Sequence, residues 1–295
     1  MKHKALIAYL IFVAILSGGF VVAMKFLGEM GNYLAGIYMF IPAISAVITR
    51  LFFYENKFKD ANLKFGKLKQ YIKFWAIALG ITVLSYIIFT FLGSISWNFS
   101  GEIFLSRLSY QMAITGQNIN DLPAGLTPQI MLFLYFIGGL TIFNILPGLI
   151  TGFGEEFGWR GFMFPLLYKI KPWVAFIVGG LIWYSWHWPL ALILPQVNNF
   201  TALQYIINFV VLGVGSICTF AFLAYVYVKT ENIFVTSVTH VTFNNSAAAF
   251  SYFVIVENQM LANVGLMITM LIVIGVLYYS KELKVFKDYF QKINS

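Results

Sequence analysis

Residues 5–26 read ALIAYLIFVAILSGGFVVAMKF, an apolar run whose single charge, Lys25, comes one residue before its end. A bilayer's hydrocarbon core is about 30 Å thick and takes roughly 20 apolar residues as a helix. The run follows Met1-Lys2-His3-Lys4, so a secretory leader is the competing reading. The apolar stretch is long for a leader and no small-x-small cleavage pattern follows it. The run is therefore expected to remain as the first membrane helix.

The rest of the chain repeats the pattern. Further apolar segments lie at roughly 33–54, 72–94, 128–150, 172–194, 202–228, 232–256 and 259–280. The 295 residues are 60% hydrophobic and 10% charged. Soluble domains carry about 25% charged residues, and so few charges could not coat a soluble fold of this size. The expectation is an all-α polytopic membrane helix bundle of about eight transmembrane helices. It forms one membrane domain over residues 1–295, with no internal repeat and no soluble domain. The one cysteine, Cys218, excludes an intrachain disulfide.

The net charge of +8 raises nucleic acid as a partner, but the lysines have a simpler explanation. They cluster at segment ends: Lys2 and Lys4; Lys57, Lys59, Lys64, Lys67, Lys69 and Lys73; Lys169 and Lys171; Lys229; then Lys281, Lys284, Lys287 and Lys292. With eight crossings every group falls on one side, cytoplasmic by the positive-inside rule. The opposite connections hold only Lys25 with Glu29, Glu102 with Arg107, Asp121 and Glu257. Expected partners are thus the lipid bilayer and a membrane-associated substrate, with no nucleic acid. Both termini should be cytoplasmic and the membrane the plasma membrane. Two connections are irregular. Residues 95–127 form a long polar stretch on the outer side, with a short amphipathic helix near Ile103 to Met112. Residues 146–171 contain Pro147, Gly148, Gly152 and Gly154, which can break a helix. A separate apolar helix is expected from about 153 to 168.

Nine of the eleven acidic residues lie at segment ends or in connections. The other two are adjacent, in Gly152-Phe153-Gly154-Glu155-Glu156-Phe157-Gly158-Trp159-Arg160-Gly161. Charges at membrane depth are costly and face a cavity or a partner. Glu156 and Arg160 are four apart and meet across one helical turn. Glu155 points about 100° away at 3.6 residues per turn, free to act elsewhere. An unpaired carboxylate in a low-dielectric site suits general-base work. His187 lies in Trp183-Tyr184-Ser185-Trp186-His187-Trp188, and His240 shares a helix face with Asn244. At 1.5 Å per residue from the nearest basic anchor, Glu155 lies about 21 Å deep, His187 about 24 Å, His240 about 16 Å and Asn244 about 22 Å. Straight helices would let the four meet. Each also has a bland reading. Glu156 with Arg160 is a structural ion pair, lone intramembrane histidines join helices, and the aromatics around His187 form an interfacial belt.

Glu-Glu-x-x-x-Arg, then aromatic-x-x-x-His, then His-x-x-x-Asn, in this order on membrane helices, resembles the type II CAAX prenyl endopeptidases and their bacterial relatives, the CPBP intramembrane proteases. The likeness runs from about Leu146 to Asn245, within a protease-like core of about 128–256. It implies that Glu155 and His187 activate a water for attack on a peptide carbonyl, that His240 and Asn244 stabilise the oxyanion, and that Glu156 and Arg160 support the first motif. The family's second motif usually begins with Phe. Trp183 stands there, a change expected to alter packing and leave activity in place. Cofactor use is open in this family. Glu155, His187 and His240 are a conceivable Zn²⁺ set, but the His-Glu-x-x-His pattern of zinc proteases is missing, and the metal-free reading is preferred. The substrate implied is a membrane-associated peptide, prenylated in a host that prenylates. Two other classes fit the same residues. A proton-coupled transporter also uses intramembrane Glu, His and Arg, and some relatives are associated with non-catalytic scaffold or bacteriocin-immunity roles.

Overall fold

The computed structural model describes residues 2–27, 35–114, 116, 118, 125–193 and 200–294. Positions 33, 34 and 194 of the expected segments, and the outer-side acids Glu29 and Asp121, lie outside this set. The chain is an all-α bundle. Its helices are α1 (Lys2–Leu27), α2 (Ala35–Tyr38), α3 (Ile41–Phe53), α4 (Leu68–Phe91), α5 (Glu102–Ile114), α6 (Pro128–Leu140), α7 (Ile142–Gly158), α8 (Phe164–Ile170), α9 (Pro172–Trp186), α10 (Trp188–Ile193), α11 (Ala202–Thr230), α12 (Ile233–Phe250), α13 (Gln259–Tyr279) and α14 (Lys284–Asn294). A π-helical turn, Trp159–Met163, joins α7 to α8.

Among the described residues five helices are long and apolar enough to cross a membrane: His3–Leu27, Gly36–Phe53, Leu68–Phe91, Ala202–Thr230 and Gln259–Tyr279. Their outward faces are apolar, as lipid contact requires. On α1, Ile7, Ile11 and Ile15 recur every fourth residue and are all exposed. This is an integral membrane protein. Of the three remaining expected segments, the fifth and seventh carry motifs, the fourth leads directly into the Glu155–Arg160 motif, and each is shorter or interrupted. The fourth is divided at Thr141 into α6 and α7. The fifth turns at His187, and the seventh ends at Phe250.

Side-chain caps set several helix starts. Thr127 accepts from the backbone N–H of Ile130, Asn232 from Val235 and Asn258 from Leu261. Thr201 forms a capping box with Gln204. Each cap satisfies donors that a helix leaves unpaired at its N-terminus.

The glycine-rich stretch differs from expectation. Helix runs unbroken from Ile142 to Ile170 through the π turn, and the interruption sits earlier, at Thr141. The glycines serve close packing. A Cβ on Gly148 or Gly152 would stand 2.5 Å from the Val241 methyls of α12, and one on Gly154 2.6 Å from the Met39 carbonyl. A Cβ on Gly158 would collide with the Pro42 backbone. Small residues on a membrane helix let backbones approach in this way. As a result α7 is wedged between α3 and α12, and α12 also packs on α4, α6 and α11.

A helix, α5, stands where the short helix near 103–112 was expected, though its apolar residues are not segregated to one face. A short antiparallel ribbon was not expected. Strand β1 (Ile95–Trp97) pairs with β2 (Val254–Val256), Ile95 opposite Val256 and Trp97 opposite Val254. Ile95 and Val254 bury against Tyr86 at the end of α4.

Candidate active site

Helix α7 presents its two carboxylates to different partners. Glu156 is fully buried. Its Oε1 accepts from Arg160 Nη1 at 2.7 Å and from His240 Nδ1 at 2.8 Å. A carboxylate only accepts, so His240 carries its proton on Nδ1. The Arg160 guanidinium is also buried and stacks over Phe220 (4.2 Å) and Trp183 (5.0 Å). The pairing of Glu156 with Arg160 across one turn follows the sequence spacing. The third member, His240, comes from a helix 84 residues away.

Glu155 is 4% exposed. Its Oε2 accepts from the Trp183 indole N–H at 2.9 Å and lies 4.0 Å from His187 Nε2. The sequence left this carboxylate unpaired, which needs correction; Trp183, read there as a packing change, also supplies a hydrogen bond. Phe has no donor at that position, whereas Trp supplies one. Trp183 also fixes the histidine, because its backbone carbonyl takes His187 Nδ1 at 2.8 Å. A carbonyl only accepts, so that proton sits on Nδ1 and the Nε2 edge faces Glu155. His187 can do this because α9 ends there, in a turn whose N–H returns to Tyr184 O.

His240 sits edge-on to Trp183, with ring centroids 5.9 Å apart. Asn244, one turn further along α12, is exposed and lines a cavity that Trp183 also lines. Glu155, Trp183, His187 and His240 thus form one cluster, with Glu156 and Arg160 behind it and Asn244 at its open side.

Sequence reasoning passed over Arg50. It is 3% exposed within α3, and its guanidinium bonds the carbonyls of Gly161 (3.3 Å) and Lys57 (2.9 Å) and the Asp60 carboxylate (2.6 Å). It ties the π turn carrying Arg160 to the 54–62 connection. The signal was available, since a charge inside an apolar segment marks a functional or bracing residue.

Among the described residues no three His, Cys, Asp or Glu side chains are grouped so that they could hold a metal ion. Glu155 and His187 come together, while His240 is turned to Glu156.

Fold and site together define a polytopic helical membrane protein with a buried glutamate–histidine cluster. Residues 137–246 match the family model of the type II CAAX prenyl endopeptidase Rce1-like proteins. The match encloses all three motifs and indicates an intramembrane protease of the CAAX type, whose substrates are membrane-associated proteins. The comparison with curated proteins finds no match.

Proposed function

We propose that the protein hydrolyses a peptide bond of a membrane-associated substrate with a water activated by Glu155 and His187. The observation that carries this reading is the 4.0 Å gap between Glu155 Oε2 and His187 Nε2, with both groups held by Trp183. It is too wide for a direct hydrogen bond. It suits one water oxygen about 2.8 Å from each group with an angle near 90° at that oxygen. The water's oxygen attacks the carbonyl carbon, its proton passes to Glu155, and the same proton leaves with the departing amine.

The oxyanion meets His240 and Asn244. Since Glu156 holds Nδ1–H, His240 donates to the oxyanion from Nε2 only as an imidazolium. The Glu156 carboxylate is placed to balance that charge. Arg160 orients Glu156, and Trp183 orients Glu155. No step requires a metal.

The lysine-rich ends are assigned to the cytoplasm of a plasma membrane, with both termini there. The test is cleavage by detergent-purified protein of a prenylated CAAX peptide and a transmembrane-peptide library. Wild type, Glu155→Gln and His240→Ala are compared with and without chelator. Loss in both variants and indifference to chelator support the scheme. Variants as active as wild type, or loss of wild-type activity on chelation, refute it.

A further inference from the structure

We infer that Tyr38 and Ser17 are positioning residues that hold His187 toward Glu155, acting through Trp186. Their role in catalysis rests on the hydrolytic reading above; the positioning itself rests on packing alone. Both lie outside the matched stretch 137–246, Ser17 on α1 and Tyr38 at the end of α2.

The need for support arises in the sequence. Pro189 has no N–H to return to the carbonyl of Ser185, so α9 cannot run on unbroken through it. His187 therefore sits at a helix end, where the last four carbonyls have no partner within the helix. Three of these carbonyls are put to use. Trp183 O takes the His187 ring nitrogen Nδ1 at 2.8 Å, and Tyr184 O takes the His187 backbone N–H at 3.1 Å. Trp186 O, on the peptide that joins Trp186 to His187, takes the Tyr38 hydroxyl at 2.8 Å. That bond fixes the peptide plane from which His187 projects.

The Trp186 indole is fixed as well. Its N–H donates to Ser17 Oγ at 3.0 Å. Its ring stacks on Tyr38, with centroids 4.6 Å apart, and meets Trp159 edge-on at 5.4 Å. Ser17, Tyr38 and Trp186 are all at most 5% exposed. The held indole in turn meets the His187 ring at 4.9 Å, at 74° to it, and Trp183 meets that ring at 5.3 Å. The His187 side chain is 39% exposed, so burial alone does not hold it. Its Nε2 faces Glu155 because two braced indoles and one carbonyl set the rotation of the ring.

The test uses full-length protein in detergent with isotope-labelled histidine rings, read by nuclear magnetic resonance. The chain has three histidines, His3, His187 and His240, so each signal is assigned by its own alanine variant. In wild type the bond to Trp183 O should give His187 a Nδ1–H signal that exchanges slowly with water. Tyr38→Phe keeps the stacked ring and removes only the hydroxyl, while Ser17→Ala frees the indole N–H. Each should speed exchange of the His187 signal severalfold and leave His240 unchanged. Tyr168→Phe is the control. It removes a buried hydroxyl bond of the same kind, to Phe286 O at 2.9 Å, and should leave His187 undisturbed. An undisturbed His187 in either test variant overturns that residue's assignment. Equal disturbance of His240, equal disturbance by Tyr168→Phe, or no slowly exchanging His187 signal in wild type overturns both.

In the peptide assay above, Tyr38→Phe should lower kcat about tenfold with KM unchanged, since a small misplacement of a reacting group is costly. An unchanged kcat overturns the role in catalysis. A wild type that cleaves nothing counts against the hydrolytic reading, and the histidine signals still decide the positioning.

Discussion

Glu155 and Glu156 are neighbours in the chain but stand in two differently built regions. Around Glu156 the structure is closed. Arg160 and His240 share one carboxylate oxygen, the aromatic rings of Phe220 and Trp183 cover the guanidinium, and solvent is excluded. Around Glu155 it is open on one side. A single indole N–H holds the carboxylate, a half-exposed histidine faces it across 4.0 Å, and a cavity begins at Trp183. One residue's rotation along α7 separates a group that builds from a group placed to react.

Substitutions can break this contrast. Glu155→Gln has the largest expected effect on activity. Losing the proposed general base should lower kcat by about 10²–10⁴-fold, with the melting temperature in detergent changed little. Glu156→Gln should do the reverse first. Removing one partner of a buried ion pair costs about 3–5 kcal/mol, read as a lowered melting temperature, with activity falling as His240 loses its anchor. If both variants melt alike, the distinction between the two carboxylates is wrong.

Asn244→Ala should reduce kcat by about 10²–10³-fold, the usual cost of one oxyanion donor. Because Asn244 is exposed, stability should be unchanged. Trp183→Phe restores the residue usual in the family and keeps a ring in place. It removes a hydrogen bond to a charged group worth about 1.5–3 kcal/mol. Peptide hydrolysis should then drop in kcat by roughly tenfold or somewhat more, with KM little altered. An unchanged kcat would return Trp183 to a packing role.

The smallest effect lies far from the site. Glu282 follows α13, and hydrogen bonds from Lys229 and then Tyr225 hold its carboxyl below the ordinary range. A lowered folded pKa gives stability that is present above the unfolded carboxylate value near 4.3. That stability is lost as pH falls through the lower folded value. The pair is partly exposed and screened, so Glu282→Gln should cost less than about 1 kcal/mol at pH 7. The difference should vanish in acid, as thermal melts at both pH values would register.

How far the sequence could carry these conclusions depended on range. Apolar runs marked the long lipid-facing helices, because each reads its surroundings residue by residue. The pairing of Glu156 with Arg160 was legible because one helical turn fixes it. The hydrogen bond from Trp183 to Glu155 joins residues 28 apart on different helices, and only tertiary packing creates it. The misplaced helix break had a different cause. Glycine reads as a breaker in water-soluble chains, but on α7 it marks the places where α3 and α12 press closest. Arg50 was a readable charge left unread, and the β1–β2 ribbon joins short strands 159 residues apart that no local pattern announces.

The glycine contacts on α7 also bear on how this protein can change. Gly148 and Gly152 abut α12, Gly154 abuts the Met39–Phe40 backbone just ahead of α3 and Gly158 abuts Pro42 of α3, so even one added methyl group pushes the carboxylate-bearing helix away from a neighbour. In a saturation-mutagenesis library this helix should be nearly frozen, while the lipid-facing isoleucines of α1 drift freely among apolar residues. The least variable stretch of the protein would then include four positions that have no side chain at all.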